Sequence, residues 1–312
     1  MSQRIKRPGK SLLPTLALLL VTAAWGLTFP LIKDSIQAVS PIEFMAIRFP
    51  IAALALFLIQ SLFVPSEKGK SGELKAGVIL GGFLFLGYAL QTYGLQTTSS
   101  SKSGFLTGLT VLFVPLLSAL IDRKRLKASA WIGVSLSVVG LVLLSFPGDI
   151  DLGWSIGDTL TLLCAVAFAS HILAVSRFTQ KFSASRLTLH QIAVCATLAV
   201  GTSFITGSPV DALKLTLNSP QLLTAILFCA LFATAGAYWI QTAFQAKSTP
   251  LKTVLIFSCE PVFAAFFSYL LYSETLDGAQ AIGCLALLLG PLTVEVLDAL
   301  PKARKYTPQS ST

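Results

Sequence analysis

Long apolar runs separated by short polar clusters dominate the chain. Ten stretches succeed one another: Leu12–Ile32, Ile42–Val64, Leu74–Gln96, Ser103–Ile121, Ser129–Pro147, Ser155–Arg177, Leu187–Thr206, Pro220–Gln245, Leu251–Tyr272 and Gly278–Val296. A bilayer core of ~30 Å is crossed by about 20 apolar residues of helix. These runs are continuous, whereas the strands of a membrane barrel alternate over about ten residues. The pattern therefore predicts an all-α membrane protein with ten transmembrane helices. Most connections are short and hold turn residues, such as Ser40-Pro41, Pro65-Ser66 and Pro147-Gly148. The longest, near Val210–Ser219, reads as a loop.

Composition removes the soluble alternative. Of 312 residues, 54% are hydrophobic and 12% charged, with a mean hydropathy of +0.76. A soluble domain carries about 25% charged residues, so two soluble cores would have too little polar surface to coat them. The start, Arg4 to Lys10 before an apolar run, imitates a signal peptide, but that run continues through Ala23-Ala24 into Trp25-Gly26. Met-Ser at the start gives no myristoylation signal.

Charge supplies orientation. With the amino terminus placed in the cytoplasm, 19 of the 23 Lys and Arg fall in cytoplasmic segments, and only Lys33, Lys102 and Lys214 fall outside. Arg48 lies within the second span. This is the bias of the positive-inside rule. The net charge of +9 is thus an orientation signal, and nucleic acid is not an expected partner. Both termini are expected in the cytoplasm and the chain in the cell (inner) membrane.

The two halves read as copies. At an offset of 150, residues 88–140 align without gaps on 238–290, with 11 identities in 53 positions. These include Tyr88/Tyr238, Gln91/Gln241, Thr92/Thr242, Gly133/Gly283 and Gly140/Gly290. Upstream, an offset of 143 brings Trp25 to Phe168 and Arg48 to Gln191. Five spans per half is odd, so the second copy is inverted. Residues 122–127 are basic (Asp-Arg-Lys-Arg-Leu-Lys), while 272–277 carry acids (Tyr-Ser-Glu-Thr-Leu-Asp). Two inverted five-helix repeats are a recurring architecture of secondary transporters, with the substrate held near mid-membrane between them.

In these features the chain resembles the drug/metabolite transporter superfamily, specifically its EamA-type ten-helix permeases. The residues carrying the likeness are Ala24-Trp25-Gly26, Ser40-Pro41 followed by Arg48, Glu260-Pro261 and Glu274. The resemblance implies an EamA-like repeat over 12–148 and its inverted copy over 149–297, flanked by cytoplasmic tails at 1–11 and 298–312. It also implies a cavity lined largely by the third, fourth, eighth and ninth helices. Its members export amino acids or other metabolites, or move sugars and drugs, without ATP. One departure is Lys124, which stands where the first repeat often carries an acid matching Glu274.

Charges inside a bilayer cost ~2.5–3.5 kcal/mol each and are functional candidates. Arg48 would either bind an anionic group bidentately or clamp backbone carbonyls. Glu260, near mid-depth before Pro261, would couple protons or bind a substrate ammonium; the alternative is a protonated side chain bonded to a neighbouring helix. Gln91 and Gln241, with Thr92 and Thr242, would bond substrate or bridge helices. Tyr88, Tyr238 and Trp239 would supply aromatic walls, while Trp25 reads as packing. His171 and His190 are candidate proton relays. Glu43 reads as a cap behind Ser40-Pro41. Gly77–Gly81 and Gly104–Gly108 suggest close helix packing. The five cysteines all lie in spans, without CxxC, so no disulfide, metal or cofactor is expected. Gly69-Lys70-Ser71 and Gly9-Lys10-Ser11 end like a P-loop but lack its first glycine.

The function expected is thus a secondary transporter, not an enzyme, whose partners are the lipid bilayer and a small-molecule substrate. Its cargo would be a small polar metabolite such as an amino acid, exported by alternating access. A lipid-head-group flippase is the alternative, and a membrane enzyme acting on lipid a third.

Overall fold

The computed structural model describes residues 12–64, 69–123, 126–145, 153–272 and 275–299. Ten helical spans among them have the length and hydropathy to cross a bilayer. The first comprises α1 (Leu13–Gly26) and α2 (Thr28–Ala38), the second α3 (Pro41–Phe63) and the third α4 (Glu73–Gly94). The fourth comprises α5 (Ser100–Gly108) and α6 (Thr110–Asp122), and the fifth is α7 (Ala128–Ser145). In the second half, α8 (Ile156–Phe178) and α9 (Ala184–Thr206) are followed by a short α10 (Pro209–Asn218). The eighth span runs from α11 (Pro220–Ala230) through a π-helical turn (Leu231–Gly236) into α12 (Ala237–Gln245). The ninth is α13 (Pro250–Phe257) with α14 (Glu260–Tyr272), and the tenth α15 (Gly278–Ala299).

Polarity is turned inside out. Leu62, Leu120 and Ile205 are more than 70% exposed, whereas Arg48, Gln191, Gln241, Gln245 and Thr242 are buried. That is the distribution of a protein whose solvent is hydrocarbon, where polar side chains must find partners inside the bundle.

Two helix pairs show the inversion directly. Gly133 of α7 meets Gly290 of α15, and Gly140 meets Gly283. Each pair becomes the other when the repeat offset is applied, so one face contacts its own copy about a two-fold relation. The two helices run antiparallel, as equivalent helices of inverted repeats must. On α3 and α9, Gln60 near the end of one donates to the Ser185 carbonyl near the start of the other, at 2.7 Å.

Several expectations change. The segment near 210–219, read as a loop, is α10, initiated by Pro209 at its first turn. It rests on α3, α9 and α11, burying Ala212 and Thr216. Ten residues of alternating apolar and polar character are too short to show a helical period in sequence. Its entry is fixed by Glu43, which caps α3 together with Ser40 and accepts from the Ser208 amide at 2.7 Å. Gly81 does pack closely, against Val194 and the Gln191 carbonyl, whereas Gly104 meets nothing within 4 Å. Lys124 and Glu274 lie outside the described residues.

The ends of the bundle are held by ion pairs. On the face carrying Lys70, Arg177 and Lys181, here the basic face, Arg186 bonds buried Glu73 at 2.8 Å and Arg177 bonds Asp122 at 2.7 Å. On the opposite face, Lys102 lies 2.8 Å from Asp158, whose carboxylate is fully buried and also accepts from the Ser155 amide and Thr98 hydroxyl. Removing one partner of such a pair costs about 3–5 kcal/mol because the other charge stays buried. Lys102→Met is therefore expected to lower the thermal midpoint in detergent by about 10 °C, at about 2–4 °C per kcal/mol. Adding Asp158→Asn should recover most of that loss. A double variant as unstable as the single one would contradict a buried-charge origin for the effect.

Candidate functional site

A cavity lies between the halves. Its walls come from the first, third and fourth spans and from their copies, the sixth, eighth and ninth. The first and sixth thus join the four helices expected. The second, fifth, seventh and tenth spans form the outer pairs described above.

Its centre is a pair of tyrosines. The Tyr88 and Tyr238 hydroxyls are 3.2 Å apart, and 150 positions in sequence, the repeat offset itself. A bond between copies of one position marks the pseudo-two-fold axis. The flanking rings obey the same symmetry. Trp25 packs on Tyr238 at 5.6 Å, and its copy Phe168 packs on Tyr88 at 5.5 Å. Trp25, read as packing, both packs against the core and lines the cavity, with Phe257 5.0 Å from it.

Symmetry breaks behind the tyrosines. Arg48 is 1% exposed and outside the cavity wall. Its guanidinium lies 4.8 Å from the Tyr88 ring centre; Nη2 is 3.5 Å from the Tyr88 hydroxyl, and Nε donates to Thr234 at 2.8 Å. Thr234 sits in the π-helical turn, where its hydroxyl donates to the Cys229 carbonyl five residues back at 2.7 Å. The same widened turn lets the Trp25 indole donate to the Ala233 carbonyl at 2.9 Å. Such π-turns frequently mark functional sites. Gln191, the copy of Arg48, has other partners: its carbonyl accepts from His171 Nε2 at 2.7 Å and its amide donates to Thr242 at 3.2 Å.

The fourth and ninth spans break at equivalent places, around Leu109 and around Ser258-Cys259. Thr110 and Glu260, the first residues of α6 and α14, both line the cavity. A carboxylate at a helix start is favoured by the helix dipole. Pro261 withdraws the amide that would have bonded the Phe257 carbonyl. Glu260 makes no hydrogen bond or ion pair with a described residue. Gln241 donates to Gln245 at 3.1 Å but leaves its own carbonyl buried and unpartnered. Gln91 donates to Thr107 at 3.1 Å. Among the described residues the wall thus offers one carboxyl and the rings of Trp25, Tyr88, Phe168, His171, Tyr238 and Phe257, but no Lys or Arg. That chemistry suits a donor-rich or cationic group among apolar surfaces.

Of the candidates, Glu260, Gln91, Gln241, Tyr88, Tyr238 and His171 meet at this cavity. Arg48 reaches it only through Tyr88 and forms no ion pair with Glu260. Trp239 is not among the residues lining the cavity and packs against the apolar cluster that includes Met45, Phe49 and Ala196. His190 lies elsewhere, against Gly77, with a buried Nδ1 that has no partner. The lining residues Phe168, Thr107 and Ser258 were not candidates. Phe168 is legible only as the copy of Trp25, and the two hydroxyls carry no sequence signal. No group of three His, Cys, Asp or Glu among the described residues suits a metal.

Known proteins agree with this architecture. The EamA-like transporter family model matches residues 12–146 and 155–294, once per half. An uncharacterized transporter of Archaeoglobus fulgidus is 32% identical over 287 residues, covering 92% of this chain and 87% of its own. A second from that organism is 24% identical over 276 residues, covering 88% and 96%. The uncharacterized transporter YetK of Bacillus subtilis is 26% identical over 233 residues, covering 67% and 65%. A solved crystal structure superposes with a TM-score of 0.74 at 19% identity, over 91% of this chain and 96% of that one. A family model matched in both halves, on a bundle of two inverted five-helix repeats, places this multi-pass membrane protein in the EamA-like transporter family.

Proposed function

We propose that the protein is a secondary transporter that exports a small polar metabolite bearing an ammonium group, such as an amino acid, by alternating access. The observation that carries this reading is the cavity on the pseudo-two-fold axis, walled by equivalent spans of the two repeats. In such a bundle, access exchanges between faces when the halves exchange shapes. Glu260 binds the ammonium or carries the coupled proton, and the aromatic rings hold the apolar part. The basic face lies in the cytoplasm, the location the positive-inside rule favours, with both termini there and the cell membrane as the site of action.

Reconstituted vesicles test this. Liposomes loaded with unlabelled amino acids or amines should accumulate the labelled species by exchange, faster than protein-free liposomes. Equal rates with and without protein across the panel would refute transport of this cargo class. Labelled lipid crossing the bilayer in the same vesicles would favour flippase activity instead.

A further inference from the structure

The Arg48–Tyr88–Tyr238 chain has a proton left over. A guanidinium only donates, so the Tyr88 oxygen accepts from Arg48; each tyrosine hydroxyl supplies one proton. The two hydroxyls hold two protons, and the bond between them uses one. The other has no acceptor among the described residues, and both tyrosines line the cavity. Arg48 meanwhile is a buried cation whose partners among the described residues are all neutral: Thr234, Tyr88 and the Phe49 ring. A buried charge without a counter-charge is costly, and the tyrosine pair stands between it and the cavity. Gln191, in the equivalent place, brings no such charge. One side of the cavity is therefore biased toward negative charge, while Glu260 supplies the opposite bias.

We propose that the Tyr88–Tyr238 pair, backed by Arg48, is a binding subsite for an anionic oxygen of the cargo, a carboxylate or comparable oxyanion. The free hydroxyl proton bonds that oxygen directly. Arg48 is a positioning residue: it never touches the cargo, but orients the pair toward donation and provides the charge that makes an anion preferable to a neutral carbonyl. Hydrogen bonds to charged groups are about twice as strong as neutral ones, so the subsite discriminates by charge. The inference deepens the transport reading and rests on it, since both use this cavity.

Three probes with one side chain separate the parts: leucine, leucinamide and isopentylamine carry a carboxylate, a neutral amide and neither. Their binding to purified full-length protein is read from quenching of tryptophan fluorescence, to which cavity-lining Trp25 contributes. Leucine should bind at least tenfold tighter than isopentylamine, with leucinamide between them. Tyr88→Phe with Tyr238→Phe should reduce that preference to within threefold, with leucine weakened far more than isopentylamine. Arg48→Gln should do the same to leucine, and Arg48→Lys should retain part of the preference. Phenylalanine fits both tyrosine positions, so the double variant tests the idea even if Arg48→Gln fails to fold. Isopentylamine binding with no gain from the carboxylate would overturn the subsite alone, as would a preference that survives the double variant. Binding of none of the three would overturn the cargo reading and the subsite together.

Discussion

Glu260→Gln is expected to lower gradient-driven uptake at least 100-fold while the protein remains folded. The geometry separates these two effects. Glu260 has no bonding partner among the described residues, so replacement by an amide of the same shape orphans no neighbour. Removing a carboxyl from mid-membrane also relieves part of a burial cost of ~2.5–3.5 kcal/mol. What disappears is the single acid on the cavity wall among the described residues. Binding and exchange assays then divide its two roles. If Glu260 holds the ammonium, isopentylamine binding is lost as well. If it carries the coupled proton, binding and one-for-one exchange survive, and only accumulation against a gradient fails. Uptake at the wild-type rate would remove Glu260 from the mechanism.

The largest structural effect is expected where α7 crosses α15. A Cβ at Gly140 would sit 2.8 Å from the Gly283 carbonyl oxygen and 2.8 Å from the Leu287 amide nitrogen. At Gly283 it would sit 2.8 Å from the Gly140 carbonyl and the Leu144 amide. Both obstacles are backbone and cannot rotate aside, so the helices must separate. Gly140→Val and Gly283→Val should each cost about 3 kcal/mol, the upper end of ordinary overpacking, or about 10 °C in midpoint. The two losses should match, because each position is the other's copy. Gly201→Ala, inside α9 with nothing within 4 Å, should not lower the midpoint. Four of the five cysteines are buried, so a thiol-reactive dye followed during heating reads all three variants. A large difference between the two valine variants would contradict the two-fold relation of these helices.

The spans are legible because hydrocarbon demands a run of about 20 apolar residues wherever the backbone crosses it. Inversion is legible because five crossings per copy are odd. Breaks within spans are not, since Leu27 and Leu109 look like any other apolar residue. The π-turn at Leu231–Gly236 is equally silent: it depends on Thr234 meeting Arg48, 186 positions away. Tyr88, Gln91 and their copies are legible as a site because polar side chains inside apolar helices need partners there, and these recur at one offset in both halves. Trp239 is adjacent to Tyr238 and shares its chemistry, but neighbours in a helix point about 100° apart, and one of the two faces packing. Arg48 shows the remaining gap. Its charge and depth mark it in sequence, but whether it touches the cavity or stands one side chain behind depends on tertiary packing.

The tyrosine bond has a thermodynamic consequence. In the alternating access proposed above, exchanging the shapes of the halves would carry that bond onto itself, so it would serve as a fixed pivot for the motion. A chain with two identical halves would have two conformers, related by a two-fold rotation, of equal free energy and populated one to one. This chain departs from that degeneracy where Arg48 faces Gln191 across the pivot, and where a widened turn in the eighth span has only regular helix in the third. In that proposed cycle those departures would set the resting ratio of the conformers, and about 1.4 kcal/mol of asymmetry is enough to make it ten to one.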